Sequence, residues 1–231
     1  MANDAEKEVA ARASLKYVKD GQIVGLGTGS TATVAIRLIG ERVRAGLKIR
    51  GIPTSIASRD LASQLGIPLT NFEEVQEIDV TVDGADEFDP ALNLIKGGGG
   101  AMLREKIVAS ASRQLVIVTD SSKQVRMLGK FPVPVEVIGF AEQLVAKKIS
   151  DLGAKVVQRQ DGSGKAYVTD EKHHILDCHF GQIPDPAALG RTLSEMPGVV
   201  EHGLFVGMTS VVLMAKAGDV EEFGRGGRVT A

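Results

Sequence analysis

A single cysteine, Cys178, excludes an internal disulfide and any zinc site built from several thiolates, and it fits a reducing compartment. An excess of either charge is missing too. The 27 Lys and Arg stand against 29 Asp and Glu, net −2, with pI ≈ 6.1. No basic field is therefore available to hold a nucleic-acid backbone or an anionic bilayer. No stretch approaches the ~18 uninterrupted apolar residues of a membrane span. The opening MANDAEKEVAARASLKYV carries acids early and lacks the apolar run of a signal peptide. Tryptophan is absent altogether. What remains, in 231 residues of which 43% are hydrophobic, is expected to be a cytoplasmic globular protein of one or two domains. Glycine is plentiful instead: the chain has 27, gathered into a few clusters.

Short apolar runs alternate with helical patterns through the first half. Strands are expected over 22–26, 47–52, 78–82 and 115–119, with helices over 5–18, 33–43, 56–65 and 102–111. In the first helix Val9, Ala13 and Tyr17 form one stripe. Such alternation predicts a mainly parallel sheet covered by helices on both faces, a Rossmann-like α/β class with ligands bound beyond the carboxyl ends of the strands. The rhythm then changes to strand–helix–strand–strand–helix–strand over 133–206, with a hairpin signal at Asp161-Gly162-Ser163-Gly164. That order is the split βαβ arrangement of a ferredoxin-like α+β lobe. The expected domains are 1–129 with 207–231, whose further strand 209–216 returns to the first sheet, and an inserted lobe at 130–206.

Four segments at strand ends carry the chemistry. GLGTGST (25–31) follows a strand and opens a helix, where amides and the helix dipole favour an anion. It is a poor dinucleotide fingerprint. Ser30 stands where the third glycine should be, Pro53-Thr54-Ser55 replaces the ribose-binding acid, and a Walker lysine is lacking. The hydroxyls of Thr28, Ser30 and Thr31 suit a small phosphate or a sugar. DGADEFD (83–89) packs four acids beside a buried strand end, which is costly without a cation or hydrogen-bond donors. Hard cations favour such clusters, although the pattern is not that of an EF-hand. KGGGGAMLREK (96–106) sets four glycines before an apolar helix, an entropic sacrifice that suits a ligand lying on the main chain. Lys96 stands at its entrance, and Glu105 follows about one turn beyond. Lys123, in DSSK (120–123), emerges on the same rim. His173, His174 and His179 read as structural, since His173 and His179 are too far apart along a strand to chelate one ion. The tail 221–228 reads as a mobile end whose arginines could serve a subunit contact.

With these segments assembled, the sequence closely resembles the A-type ribose-5-phosphate isomerases. The resemblance continues through KFPVPVEV (130–137), DGSGKAYVTD (161–170), LDCHFG (176–181) and PGVVEHGLFVGM (197–208), so it covers nearly the whole chain. It implies interconversion of D-ribose 5-phosphate and D-ribulose 5-phosphate in the non-oxidative pentose phosphate pathway, without metal or organic cofactor, by a homodimer or a dimer of dimers. By motif match Glu105 shuttles the proton, while Thr28, Gly29, Ser30, Thr31, Asp83, Gly84, Ala85, Asp86, Lys96, Gly97, Gly98, Gly99 and Lys123 contact substrate. The chemistry then divides naturally. Lys96 and the loop amides face the enediolate charge. Asp83 assists ring opening, and Asp86 orients hydroxyls. Thr28, Ser30, Thr31 and Lys123 anchor the phosphate. Rival classes are a sugar-phosphate sensor, an acyl-CoA transferase with a Glu nucleophile and an aminosugar-phosphate deaminase. The sensor lacks the length for a DNA-reading domain.

Overall fold

The computed structural model describes the backbone of residues 2–224, 227 and 228, and side chains over 4–224. Two compact units emerge. The first comprises 1–85, 104–123 and 207–231; the second comprises 86–103 and 124–206. The expected break near 129/130 falls at 123/124, and 86–103 join the second unit because their short strands pair there rather than with the large sheet.

The first unit is built from β1 (Ile23–Leu26), β2 (Arg50–Pro53) and β3 (Val80–Asp83), with α1 (Ala2–Ser14), α2 (Ser30–Arg44) and α3 (Ile56–Gln64). The chain enters the second unit with β4 (Glu87–Phe88) and β5 (Leu94–Ile95). It leaves within α4 (Met102–Ser110) and then forms β6 (Leu115–Asp120). The next strand in the chain is β7 (Val133–Val137), followed by α5 (Glu142–Asp151), β8 (Lys155–Gln158), β9 (His174–His179), α6 (Pro186–Ser194), β10 (Val199–His202) and β11 (Leu204–Phe205). The chain closes the first unit with β12 (Val211–Lys216), β13 (Asp219–Gly224) and β14 (Gly227–Arg228).

The large sheet runs β14-β13-β12-β6-β3-β1-β2, parallel from β12 to β2 and antiparallel at the other edge. Its core is aliphatic. Val24, Leu26, Val80, Val82, Val116 and Val118 pack against Ala10, Ala11, Ile36 and Ile39. The buried face of α1 is thus Ala10, Ala11 and Ser14, while the expected stripe of Val9, Ala13 and Tyr17 is only half-buried. Small side chains let that helix approach the strands closely.

The tail differs from its expectation. Glu221–Gly224 lie in β13, paired with β12, because Ala217 and Gly218, both at positive φ (51° and 93°), make a tight hairpin turn. Arg225 and the side chain of Arg228 lie outside the described residues.

In the second unit the sheet order is β10-β7-β9-β8, antiparallel throughout, the ferredoxin-like order. Val133, Val135 and Val137 point to the helical side with Leu176 and Cys178, meeting Val145, Ile149 and Leu193. The expected strand 167–180 is shorter, since 159–173 form a loop closed by the Gln160–Ala166 bridge. A separate sheet, β11-β5-β4, accounts for what reads as one strand over 199–206. Gly203 marks the break: a side chain there would meet the Lys96 carbonyl at 2.2 Å. No helix among the described residues is long and apolar enough to cross a membrane.

Candidate active site

In the first unit the expected residues lie at the carboxyl ends of β1, β3 and β6. The glycines of GLGTG divide into two kinds. Gly25 and Gly27 share one face of β1. A Cβ on Gly25 would sit 1.9 Å from Thr81 Oγ1 and 2.8 Å from Val108 Cγ1, and one on Gly27 would sit 2.3 Å from Asp83 Oδ1. They are close-approach glycines that admit α4 and the Asp83 carboxylate. Gly29 (φ 106°) faces open space and precedes α2 with no side-chain cap, so the first amides of that helix remain for an outside acceptor. Ser30 is exposed and Thr31 buried. Thr28 is less available than its sequence position suggests. Its hydroxyl bonds Thr54 Oγ1 at 2.7 Å and Ser55 Oγ at 2.8 Å. Ser55 in turn caps α3, accepting from the Ser58 amide at 3.0 Å. The Pro53-Thr54-Ser55 strand end therefore buttresses the loop.

Asp83 is 1% exposed, and its Oδ1 accepts from the amides of Thr28 (3.0 Å) and Gly84 (2.8 Å). Gly84 and Ala85 follow it half-buried. Glu105, 3% exposed, sits in the first turn of α4. It shares a helical face with Val108, three residues on, which lies over Gly25. That face carries the carboxyl toward the sheet, one turn nearer the strands' carboxyl ends. Lys123 ends a 3₁₀ turn directly after β6 and is half-buried.

Asp86 and Lys96–Gly99 belong to the second unit. Lys96 is 2% exposed, with Nζ 5.4 Å from the centroid of the buried Phe205 ring. Gly97 (φ 101°) and Gly100 (φ 81°) bound a turn closed by the Gly100 amide on the Gly97 carbonyl at 3.0 Å. Asp86 Oδ2 accepts from the Gly98 amide at 2.7 Å.

The crowding of acids over 83–89 has a local answer: each carboxylate meets backbone amides. Asp83 and Asp86 do so as described. Glu87, 3% exposed, accepts from Gly129 (2.8 Å) and Phe131, and Asp89 accepts from Ala91 and Asn93, both at 2.9 Å. Donated N–H groups offset the repulsion that the sequence alone displays. Sequence reasoning missed three side chains that touch the glycine loop or its supports: Arg159, Asp177 and Tyr167. Arg159 precedes, Tyr167 lies within and Asp177 follows the DGSGKAYVTD segment (161–170), and the alternation over 173–180, which includes Asp177, was the available signal. His173 and His174 pair with Glu136 (3.0 Å) and Glu142 (2.5 Å), as structural histidines do.

An open parallel sheet with hydroxyl, amide and carboxylate groups at its strand ends defines the class, an α/β enzyme. Comparison narrows it. The family model of ribose 5-phosphate isomerase A (phosphoriboisomerase A) matches residues 50–219. Among curated relatives, the ribose-5-phosphate isomerase A of Nitrobacter hamburgensis is 52% identical over 94% of this chain and 96% of its own. That of Parvibaculum lavamentivorans is 48% identical over 91% and 94%. A D-ribose-5-phosphate isomerase solved in complex with phospho-erythronic acid superposes with a TM-score of 0.95 at 37% identity, covering 97% of this chain and 100% of that one. The Plasmodium falciparum ribose 5-phosphate isomerase gives 0.92 at 39%, covering 96% and 99%. The chain belongs to the ribose-5-phosphate isomerase A family.

Proposed function

We propose that the chain interconverts D-ribose 5-phosphate and D-ribulose 5-phosphate, with Glu105 carrying the proton. The net change moves one proton from C2 to C1 and one from O2 to O1. A single carboxylate beside both carbons suffices: Glu105 takes the C2 proton, an enediolate forms, and the Glu105 carboxyl, whose proton exchanges with solvent, returns one to C1. The burial of Glu105 in the first turn of α4 is the observation that carries this reading. Charge building on O1 or O2 is met by the Lys96 ammonium and by N–H donation from the glycine loop, donors of a kind worth about 2.7–4 kcal/mol each. Asp83, oriented by two amides, opens the furanose ring, and Asp86 orients sugar hydroxyls. The uncapped first turn of α2, with Gly29, Ser30, Thr31 and the ammonium of Lys123, anchors the phosphate, while Thr28 shapes that turn and Gly84 and Ala85 line it.

The same reading carries a homodimer or a dimer of dimers in the cytoplasm. An apolar surface available for such association is fully exposed Phe140 with Ile138 (48%) and Leu144 (57%) in the second unit.

The test incubates the protein with ribose 5-phosphate and EDTA in D₂O and follows the proton spectrum. Ketose with deuterium in carbon-bound positions supports the proposal. Absence of turnover, restored only by added metal, overturns its metal-free form. Ammonia from glucosamine 6-phosphate, or a mass shift from a glutamyl thioester with an acyl-CoA, would point to the rival chemistries instead.

A further inference from the structure

A side chain to which the isomerase chemistry assigns no task holds the glycine loop of the second unit. Arg159 follows β8 directly, and its side chain is only 14% exposed. Its guanidinium forks onto Asp177 of β9, Nε to Oδ2 at 2.9 Å and Nη2 to Oδ1 at 2.5 Å. The remaining nitrogen, Nη1, donates to two main-chain carbonyls, Gly97 at 2.8 Å and Gly98 at 3.2 Å. An ion pair formed only to neutralise charge has no need of those carbonyls. A run of four glycines has no side chains of its own to order it, and loses much freedom when fixed.

The consequence lies in the amides. A trans peptide is planar, so its carbonyl and the following N–H point in opposite directions. Fixing the Gly97 and Gly98 oxygens on Arg159 therefore directs the Gly98 and Gly99 N–H groups away from the guanidinium. The Gly98 N–H goes to Asp86 and the Gly100 N–H to the Gly97 carbonyl. The Gly99 N–H has no acceptor among the described residues, and Gly99 is exposed. We infer that Arg159, tethered by Asp177, is a positioning residue that aims the Gly99 N–H at the negative charge developing on the substrate. The inference rests on the isomerase reading. Its distinctive claim is that one amide of the loop serves the transition state and that a side chain 60 positions on in the sequence sets its direction.

The full chain carrying Arg159→Ala, Arg159→Lys or Asp177→Asn is assayed on ribose 5-phosphate, and amide hydrogen exchange is followed over 97–100. Arg159→Ala is expected to lower kcat about 10- to 100-fold with KM within about twofold, as for a donor used only in the transition state. Exchange at Gly98 and Gly100 should quicken, and guanidinium ion at a non-denaturing concentration should restore part of kcat. Arg159→Lys keeps the charge without the planar fork and should fall between. Unchanged kcat in Arg159→Ala overturns the inference. So does a rise in KM alone, or a loss of kcat that guanidinium does not relieve although the melting temperature is unaltered. Should Arg159→Ala not fold, Arg159→Lys and Asp177→Asn decide by the same readouts. If the unaltered protein fails to isomerise ribose 5-phosphate, the functional reading falls separately. The exchange pattern then judges the positioning claim, and protection that persists without Arg159 overturns it.

Discussion

At the scale of single residues, two glycines that look alike in the sequence do different work. Gly27 exists because Asp83 occupies the space where its side chain would be, with the Asp83 Cα itself only 2.6 Å from an added Cβ. The offending atom is backbone, so it cannot swing aside. Gly27→Ala is expected to cost about 1–3 kcal/mol, the usual price of overpacking, and to lower kcat by displacing Asp83. Urea denaturation and steady-state assay of the same sample check both; an alanine variant with unaltered midpoint and kcat would sink the packing account. Glu105→Gln makes the complementary prediction. The amide keeps the shape but cannot accept a proton, so kcat should fall by roughly two to four orders of magnitude while KM stays close to its original value. The placement of Lys96 before the glycines and of Glu105 at a helix start was readable in advance, because local sequence defines both. They could not show that Gly27 answers to Asp83, or that the Thr28 hydroxyl is engaged by Thr54 and Ser55. Those contacts join segments more than 25 residues apart, and no local period records them.

At the scale of elements, the long strands and helices could be read and the shortest could not. Strands β3 (VTVD) and β6 (LVIVTD) are buried along their whole length, as expected of a parallel sheet covered on both faces. By contrast β4, β5 and β11 have two residues each, too few to show alternation, and the pairing of β11 with β5 joins residues more than a hundred positions apart. The C-terminal hairpin escaped notice for a related reason. Its turn places Ala217 in the left-handed region, without the Asn-Gly or Asp-Gly signal that marks most such turns. What ties the small sheet to the segment leading into β7 is a carboxylate: Glu87 in β4 receives the amides of Gly129 and Phe131. Glu87→Gln substitutes an N–H donor for one of those oxygens, so that two donors face each other. With the carboxylate 3% exposed, the loss should be about 1.5–3 kcal/mol, the range for a hydrogen bond to a charged group. Equal urea midpoints for the two proteins would show that the sheet does not depend on it.

At the scale of the whole molecule, each unit holds a weak acid that resists ionisation, and together they fix how the protein fails in alkali. In the first unit burial, then the hydrogen bond to Glu222, pushes the Tyr17 phenol well above its usual 10. In the second, burial and then the Asp177 charge push the Cys178 thiol from its usual 9.0 to about 12. A group whose proton is held more tightly when folded favours the folded state below its unfolded pKa, and that advantage is lost as pH rises towards the folded value. The unfolded thiol starts to ionise near pH 9 and the phenol near pH 10, so stability should decline from there upward. Across its window the Cys178 contribution falls by about 1.4 kcal/mol for each pH unit. That of Tyr17 is smaller, because much of its ring is in contact with water. Acid works on other groups: Glu222, held below its usual 4.5 first by Lys16, supplies stability that is lost as pH falls through its folded value. Urea midpoints between pH 8 and 11 should therefore slope downward in the unaltered protein and more gently in Cys178→Ala and in Tyr17→Phe. Tyr17→Phe should also start from a lower midpoint at pH 8, because it forfeits the bond to Glu222. Three parallel slopes would mean that neither proton governs the alkaline limit, and that the decline arises from the surface lysines instead.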